Sequence, residues 1–102
     1  MSRGLRNNNP GNIRRSKVRY RGEVQPSQDP EIRQFSAPER GYRAIFVLLD
    51  TYRVRYGLRT DEPLDTRDRA TMVPLAAAIS RVENGTAAVM RDVERGWALF
   101  SD

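Results

Sequence analysis

Apolar residues fall into periodic blocks separated by polar turns. Tyr42, Ile45, Phe46, Leu49, Tyr52 and Tyr56 recur at three- and four-residue steps, the mark of an amphipathic helix. Ahead of them, Phe35-Ser36-Ala37-Pro38-Glu39 offers a Ser at the N-cap and a Glu three positions later, a capping box that satisfies orphan amides, and Gly57 suits the position after the last turn. The pattern predicts a helix over about 37–56. Residues Leu58 to Asp65 carry Pro63 and three acids and read as a connecting loop, with Asp65 or Thr66 as the next cap. Proline inside a helix costs roughly 3 kcal/mol, so the second helix is expected from near Met72 with Pro74 in its first turn. It runs through Leu75, Ala76, Ile79 and Val82 to Asn84-Gly85, residues that tolerate the left-handed terminus. A last helix, capped by Thr86, places Val89, Val93, Gly96, Trp97 and Phe100 on one side.

The first third lacks this rhythm. Up to about Gln34 the chain is Arg, Asn, Gly and Pro with scattered Ile13, Val18, Tyr20, Val24 and Ile32, which predicts turns and short extended pieces, with a short hairpin around Val18 to Val24. The expected architecture is a mainly helical α+β single domain over 1–102, with about three helices packed on an irregular N-terminal segment.

Composition narrows the chemistry. Cys and His are both absent, which removes thiol nucleophiles, Ser-His pairs, disulfides and the usual zinc ligand sets, so neither a metal nor a cofactor is expected. The formal charge is +5 and nearly all the cations are Arg, whose planar fork suits phosphates and carboxylates. Peptidoglycan, nucleic acid and an acidic host protein are all compatible partners. No apolar run reaches the roughly 18 residues of a membrane span, and Met1 to Arg6 lacks a secretion signal, so synthesis in the cytoplasm is expected.

The segment Arg3-Gly4-Leu5-Arg6-Asn7-Asn8-Asn9-Pro10-Gly11-Asn12-Ile13-Arg14 is too unusual for a plain linker, since its amides fix several turns at once. Together with Tyr20-Arg21-Gly22, Asp29-Pro30, Gln34-Phe35, Gly41-Tyr42-Arg43-Ala44, Tyr56-Gly57-Leu58, Pro63-Leu64-Asp65, Ala78-Ile79, Val82-Glu83-Asn84-Gly85 and Arg95-Gly96-Trp97, it resembles a family of phage and prophage structural (virion) proteins with a lysozyme-like or transglycosylase-like fold. The resemblance implies a compact lysozyme-like remnant, associated with the virion, that binds or cleaves peptidoglycan. Relative to that family the chain lacks a segment of about thirty residues between Thr60 and Asp61, in keeping with its small domain size, and has Tyr20 in place of Trp.

In lysozyme-like and glucosaminidase-like enzymes a catalytic Glu ends a helix. Ala77-Ala78-Ile79-Ser80-Arg81-Val82-Glu83-Asn84-Gly85 is similar to that arrangement, in permuted order relative to Asn9-Pro10-Gly11-Asn12-Ile13. The resemblance implies Glu83 as general acid, with Asn7, Asn9 and Asn12 lining a sugar cleft and Tyr20 stacking on sugar. A Glu partly desolvated by apolar neighbours and by the negative end of its helix would have a raised pKa suited to the task. A hydrolase normally adds a second carboxylate, whereas a lytic transglycosylase can manage with one acid/base. Glu23, Asp29 and Glu31 are the candidates for that second carboxylate.

Bland readings stand beside these. Glu83 can be a solvent-facing acid before a cap, the Asn run a self-bonded turn, and Trp97 and Tyr42 core residues. The cluster Arg14, Arg15, Lys17, Arg19 and Arg21, with Tyr20 among the cations, supports a non-enzymatic alternative. In that reading a phage-encoded binding protein, as virion component or inhibitor of a host defence system, grips nucleic acid or an acidic host protein. Homodimerisation is a further way for so small a chain to complete its core.

Overall fold

The computed structural model describes residues 1–56 and 65–102, with the side chains of 55 and 56 left aside. The expectations for Gly57, for the Leu58–Leu64 loop and for the junction between Thr60 and Asp61 lie outside the described residues. Four helices follow in order: α1 (Arg3–Arg6), α2 (Pro38–Tyr56), α3 (Arg69–Asn84) and α4 (Met90–Ser101). Among the described residues no helix is long and apolar enough to cross a membrane.

Helix α2 starts as the sequence predicts, one residue later. Pro38 takes the first helical position, where its missing N–H costs nothing, and the Gly41 amide donates to Ala37 O. Tyr42, Ile45 and Phe46 are buried, Leu49 is half-buried, and the stripe fades to an exposed Tyr52. Helix α4 crosses α2 closely. A Cβ on Gly96 would lie 2.6 Å from Tyr42 Cβ and 2.9 Å from the Arg43 backbone nitrogen, so only glycine permits this approach. Above the crossing, Trp97 stands edge-on to Phe46 at 5.2 Å between ring centroids, and Phe100 closes the cluster. Tyr42 and Trp97 are core residues.

The structure corrects the start of α3. It begins at Arg69, capped by Asp68, whose side chain accepts from the Ala70 amide. Pro74 is therefore inside the helix and not in its first turn. The buried face is correspondingly Met72, Val73, Ala76 and Ser80, while Val82 is 81% exposed. Ser80 is admitted to the interior because its hydroxyl pairs with Tyr42 Oη at 2.9 Å. The terminus matches its expectation: Gly85 has φ +70° and its amide donates to Arg81 O. Helix α4 starts after Val89, which caps without a side-chain hydrogen bond, so Thr86 is not its cap.

The expected hairpin over Val18 to Val24 is not formed, and no strand occurs among the described residues. Instead the N-terminal segment folds back on residues 31–35 through two isolated antiparallel bridges, Arg14 with Ile32 and Glu23 with Phe35. The reason lies in Arg33. Its nearly buried guanidinium donates to Val18 O, pairs with Glu23 and reaches Ser16 Oγ, so the backbone between Ser16 and Glu23 wraps a charge and does not pair with itself. The one-turn α1, absent from the sequence reading, is capped by Ser2, whose hydroxyl accepts from the Leu5 amide.

Candidate functional site

The Asn run first builds a scaffold. Asn9 is fully buried: its Nδ2 donates to Ile13 O and Arg33 O, and its Oδ1 accepts from the Ile13 amide. Asn7 is buried, donating to Arg3 O, and Asn8 donates to Phe35 O. Asn8 and Asn12 adopt φ values of 51° and 48°, a left-handed conformation that Asn tolerates. Asn7 and Asn9 are thus engaged inward, and of the three nominated amides only Asn12 reaches a cleft.

That cleft, of about 370 Å³, is lined by Arg3, Asn12, Arg14, Glu31, Ile32 and Glu83. The structure joins the loop after the Asn run to the end of α3. Asn12 Nδ2 donates to Glu83 Oε2 at 3.0 Å, and its Oδ1 is enclosed without a partner. Asn84 fixes the same junction, donating to Pro10 O at 2.8 Å and accepting from Ser2 Oγ at 2.6 Å. Glu83 is exposed and its cleft neighbours are predominantly polar, so the desolvating apolar surroundings expected for it are not formed.

Three carboxylates were candidates to accompany Glu83, and their surroundings separate them. Glu23 is sealed against Arg33, with side chains 2% and 4% exposed. Asp29 forms a two-point pair with Arg3 and accepts the Glu31 and Ile32 amides. The Arg3 guanidinium, with those amides, holds the Asp29 carboxyl well below the usual range. Only Glu31 shares the cleft with Glu83, approached by Arg3 at 3.5 Å and Arg14 at 3.4 Å. Sequence reasoning missed Arg3 and Ile32 as cleft residues, because nothing local signals that α1 lies beside the end of α3.

The cationic cluster divides in space. Arg14 belongs to the cleft, and Arg15 donates to Asp29 O and Pro30 O. Lys17 is exposed. Arg19 and Arg21 flank Tyr20 in a separate groove of about 760 Å³ along α2, with Ser16, Val18, Arg43, Val47, Leu48, Thr51 and Tyr52. Tyr20 is half-buried with the Arg33 guanidinium 4.7 Å from its ring centre, and burial pushes its phenol above the ordinary value. Arg43 was missed, since it reads as a polar flank of the α2 stripe.

The chain matches no protein-family model. It is 41% identical over 69 residues to Protein P5 of Pseudoalteromonas phage PM2; the match covers 65% of this chain and 43% of the length of that protein. The chain is therefore similar to a phage protein.

Proposed function

We propose that the chain is a lysozyme-like, virion-associated protein that binds and cleaves peptidoglycan in the cleft between the Asn loop and the end of α3; its similarity to a phage protein supports the phage association alone. The observation that carries the reading is the contact between Asn12 Nδ2 and Glu83 Oε2, which brings a carboxylic acid and an amide to one polar cleft from distant parts of the chain. Sugar recognition needs planar polar groups that can both donate and accept, and Asn12, Glu31 and Glu83 provide them. Glu83 gives a proton to the departing glycosidic oxygen as the C1–O bond breaks, water or an internal sugar hydroxyl adds to C1 and returns its proton to Glu83, and Asn12 fixes the direction of the carboxyl. Glu31, held from the side by Arg3 and Arg14, places a second carboxylate where positive charge develops on the sugar ring. Asn7 and Asn9 act indirectly, by shaping the loop that carries Asn12.

The test is release of soluble fragments from purified peptidoglycan by wild type and by Glu83→Gln. Loss of a general acid lowers the rate by about 100-fold or more. Because Glu83 is exposed, the substitution leaves the fold unchanged by circular dichroism. A folded wild type that releases nothing, or a Glu83→Gln variant as active as wild type, defeats the proposal.

A further inference from the structure

The groove along α2 differs in chemistry from the cleft. Its cations, Arg19, Arg21 and Arg43, face the apolar side chains Val18, Val47 and Leu48 and the rings of Tyr20 and Tyr52, and among the described residues no carboxylate or amide side chain lines it. Arg21 and Arg43 make no ion pair among the described residues, whereas Arg19 reaches Glu23 at 4.0 Å and Arg3, Arg14 and Arg33 each have at least one. Arg43 is half-buried on the second turn of α2, and the neighbouring cations Arg21 and Arg40 add to burial in holding its pKa below the usual value. Arg40 is anchored nearby, its aliphatic stem lying where a Cβ on Gly22 would be. Several guanidinium groups that repel one another around a half-buried site gain most from an anion placed between them.

The lining also says what the anion is attached to. A sugar chain needs amide or carboxylate partners for its hydroxyls, which the cleft has and the described lining of this groove does not supply. Flat apolar surface beside guanidinium groups suits a nucleobase next to its phosphate. The exposed Arg15 and Lys17 precede Arg19 in the same segment and extend the positive surface, as a linear polyanion requires. We propose that this groove binds single-stranded nucleic acid, with phosphates on Arg21 and Arg43 and bases against Tyr20, Tyr52 and Leu48.

The experiment is fluorescence anisotropy of a labelled oligothymidylate of about 12 nucleotides, titrated at several salt concentrations with wild type, Arg21→Gln, Arg43→Gln, Arg91→Gln and Glu83→Gln. Each groove substitution should weaken binding by about tenfold and lower the salt slope by about one. Arg91→Gln, on α4 and away from the groove, and Glu83→Gln, in the cleft, should bind as wild type does. Circular dichroism and Trp97 emission verify the fold; Arg21 is exposed, so its variant serves if Arg43→Gln is destabilised. The proposal is overturned if folded wild type does not bind the oligonucleotide at low salt, or if Arg91→Gln weakens binding as much as the groove variants. It is also overturned if inorganic polyphosphate or poly(glycerol phosphate) of equal charge competes at least as well as unlabelled oligonucleotide. Peptidoglycan release by Arg43→Gln at the wild-type rate keeps the two sites separable.

Discussion

Asn9 shows how one residue type serves structure and chemistry in the same short segment. The run of three Asn and the later Asn12 look equivalent in the sequence, yet the fold uses them differently. Asn9 spends its whole amide on backbone groups of Ile13 and Arg33, deep in the interior, while Asn12 turns its nitrogen to Glu83. Asn9→Ala would leave the buried Ile13 N–H and the Arg33 carbonyl without a partner, each costing about 1–3 kcal/mol, while Ile13 O keeps the Arg33 amide. Urea denaturation should show a loss of about 3 kcal/mol or more, with the oligonucleotide and peptidoglycan properties lost only as the fold is lost. Glu23 makes the same point for charge: as a candidate in the sequence it looks functional, but buried against Arg33 it holds the N-terminal segment in place.

At the scale of elements, α2 was the most legible, because its apolar stripe and its polar flank agree, although the structure opens it at Pro38, one residue beyond the start that a Ser36 cap implies. Helix α3 was read one step out of phase. The local rule that places Pro in a first turn is sound, but here a better cap lies further upstream in Asp68, and packing of Met72 and Val73 against the core outweighs the lost hydrogen bond of Pro74. Of the expected face, Ala76 is buried and Leu75 and Ile79 pack half-buried against the core, but Val82 is exposed, and Met72, Val73 and Ser80 join the buried side. Since Pro74 is exposed and has no N–H to give to the preceding turn, Pro74→Ala should stabilise the protein. The helix-interior penalty of about 3 kcal/mol is offset by about 0.4–1 kcal/mol of added freedom in the unfolded chain, so a net gain of about 2 kcal/mol is expected in thermal or urea unfolding. A decrease would mean that the proline's ring packs against something that alanine cannot reach.

At the scale of the whole molecule, one clip holds the N-terminal segment together and another ties it to α3. Arg3 pairs with Asp29, and Asn84 ties α3 to Ser2 and Pro10. The Asp29 carboxyl is depressed chiefly by the hydrogen-bonded Arg3 guanidinium, so its contribution to stability is present above its unfolded value of about pH 4 and is lost as pH falls through its lower folded value. Other carboxylates titrate in the same range, and comparison with Asp29→Asn isolates this one. The stability difference between wild type and Asp29→Asn should be constant from neutral pH to about pH 5 and shrink below about pH 4. A difference that grows on acidification would reverse the assigned sign.

The sequence by itself determined the elements whose signals are local: the amphipathic stripes of α2 and α4, the Asn84-Gly85 terminus, the capacity of the Asn run for tight turns, and the lack of thiol and imidazole chemistry. These follow from backbone geometry and from side chains within a turn of one another. Only the tertiary structure decided that Val18 to Val24 wraps Arg33 in place of forming a hairpin, that Asn9 is interior and Asn12 is not, that Glu31 shares a cleft with Glu83, and that Arg43 joins Arg21. Each of these depends on which buried group another part of the chain must satisfy, and burial of a polar group or a charge is a free-energy cost set by distant neighbours that no local pattern records.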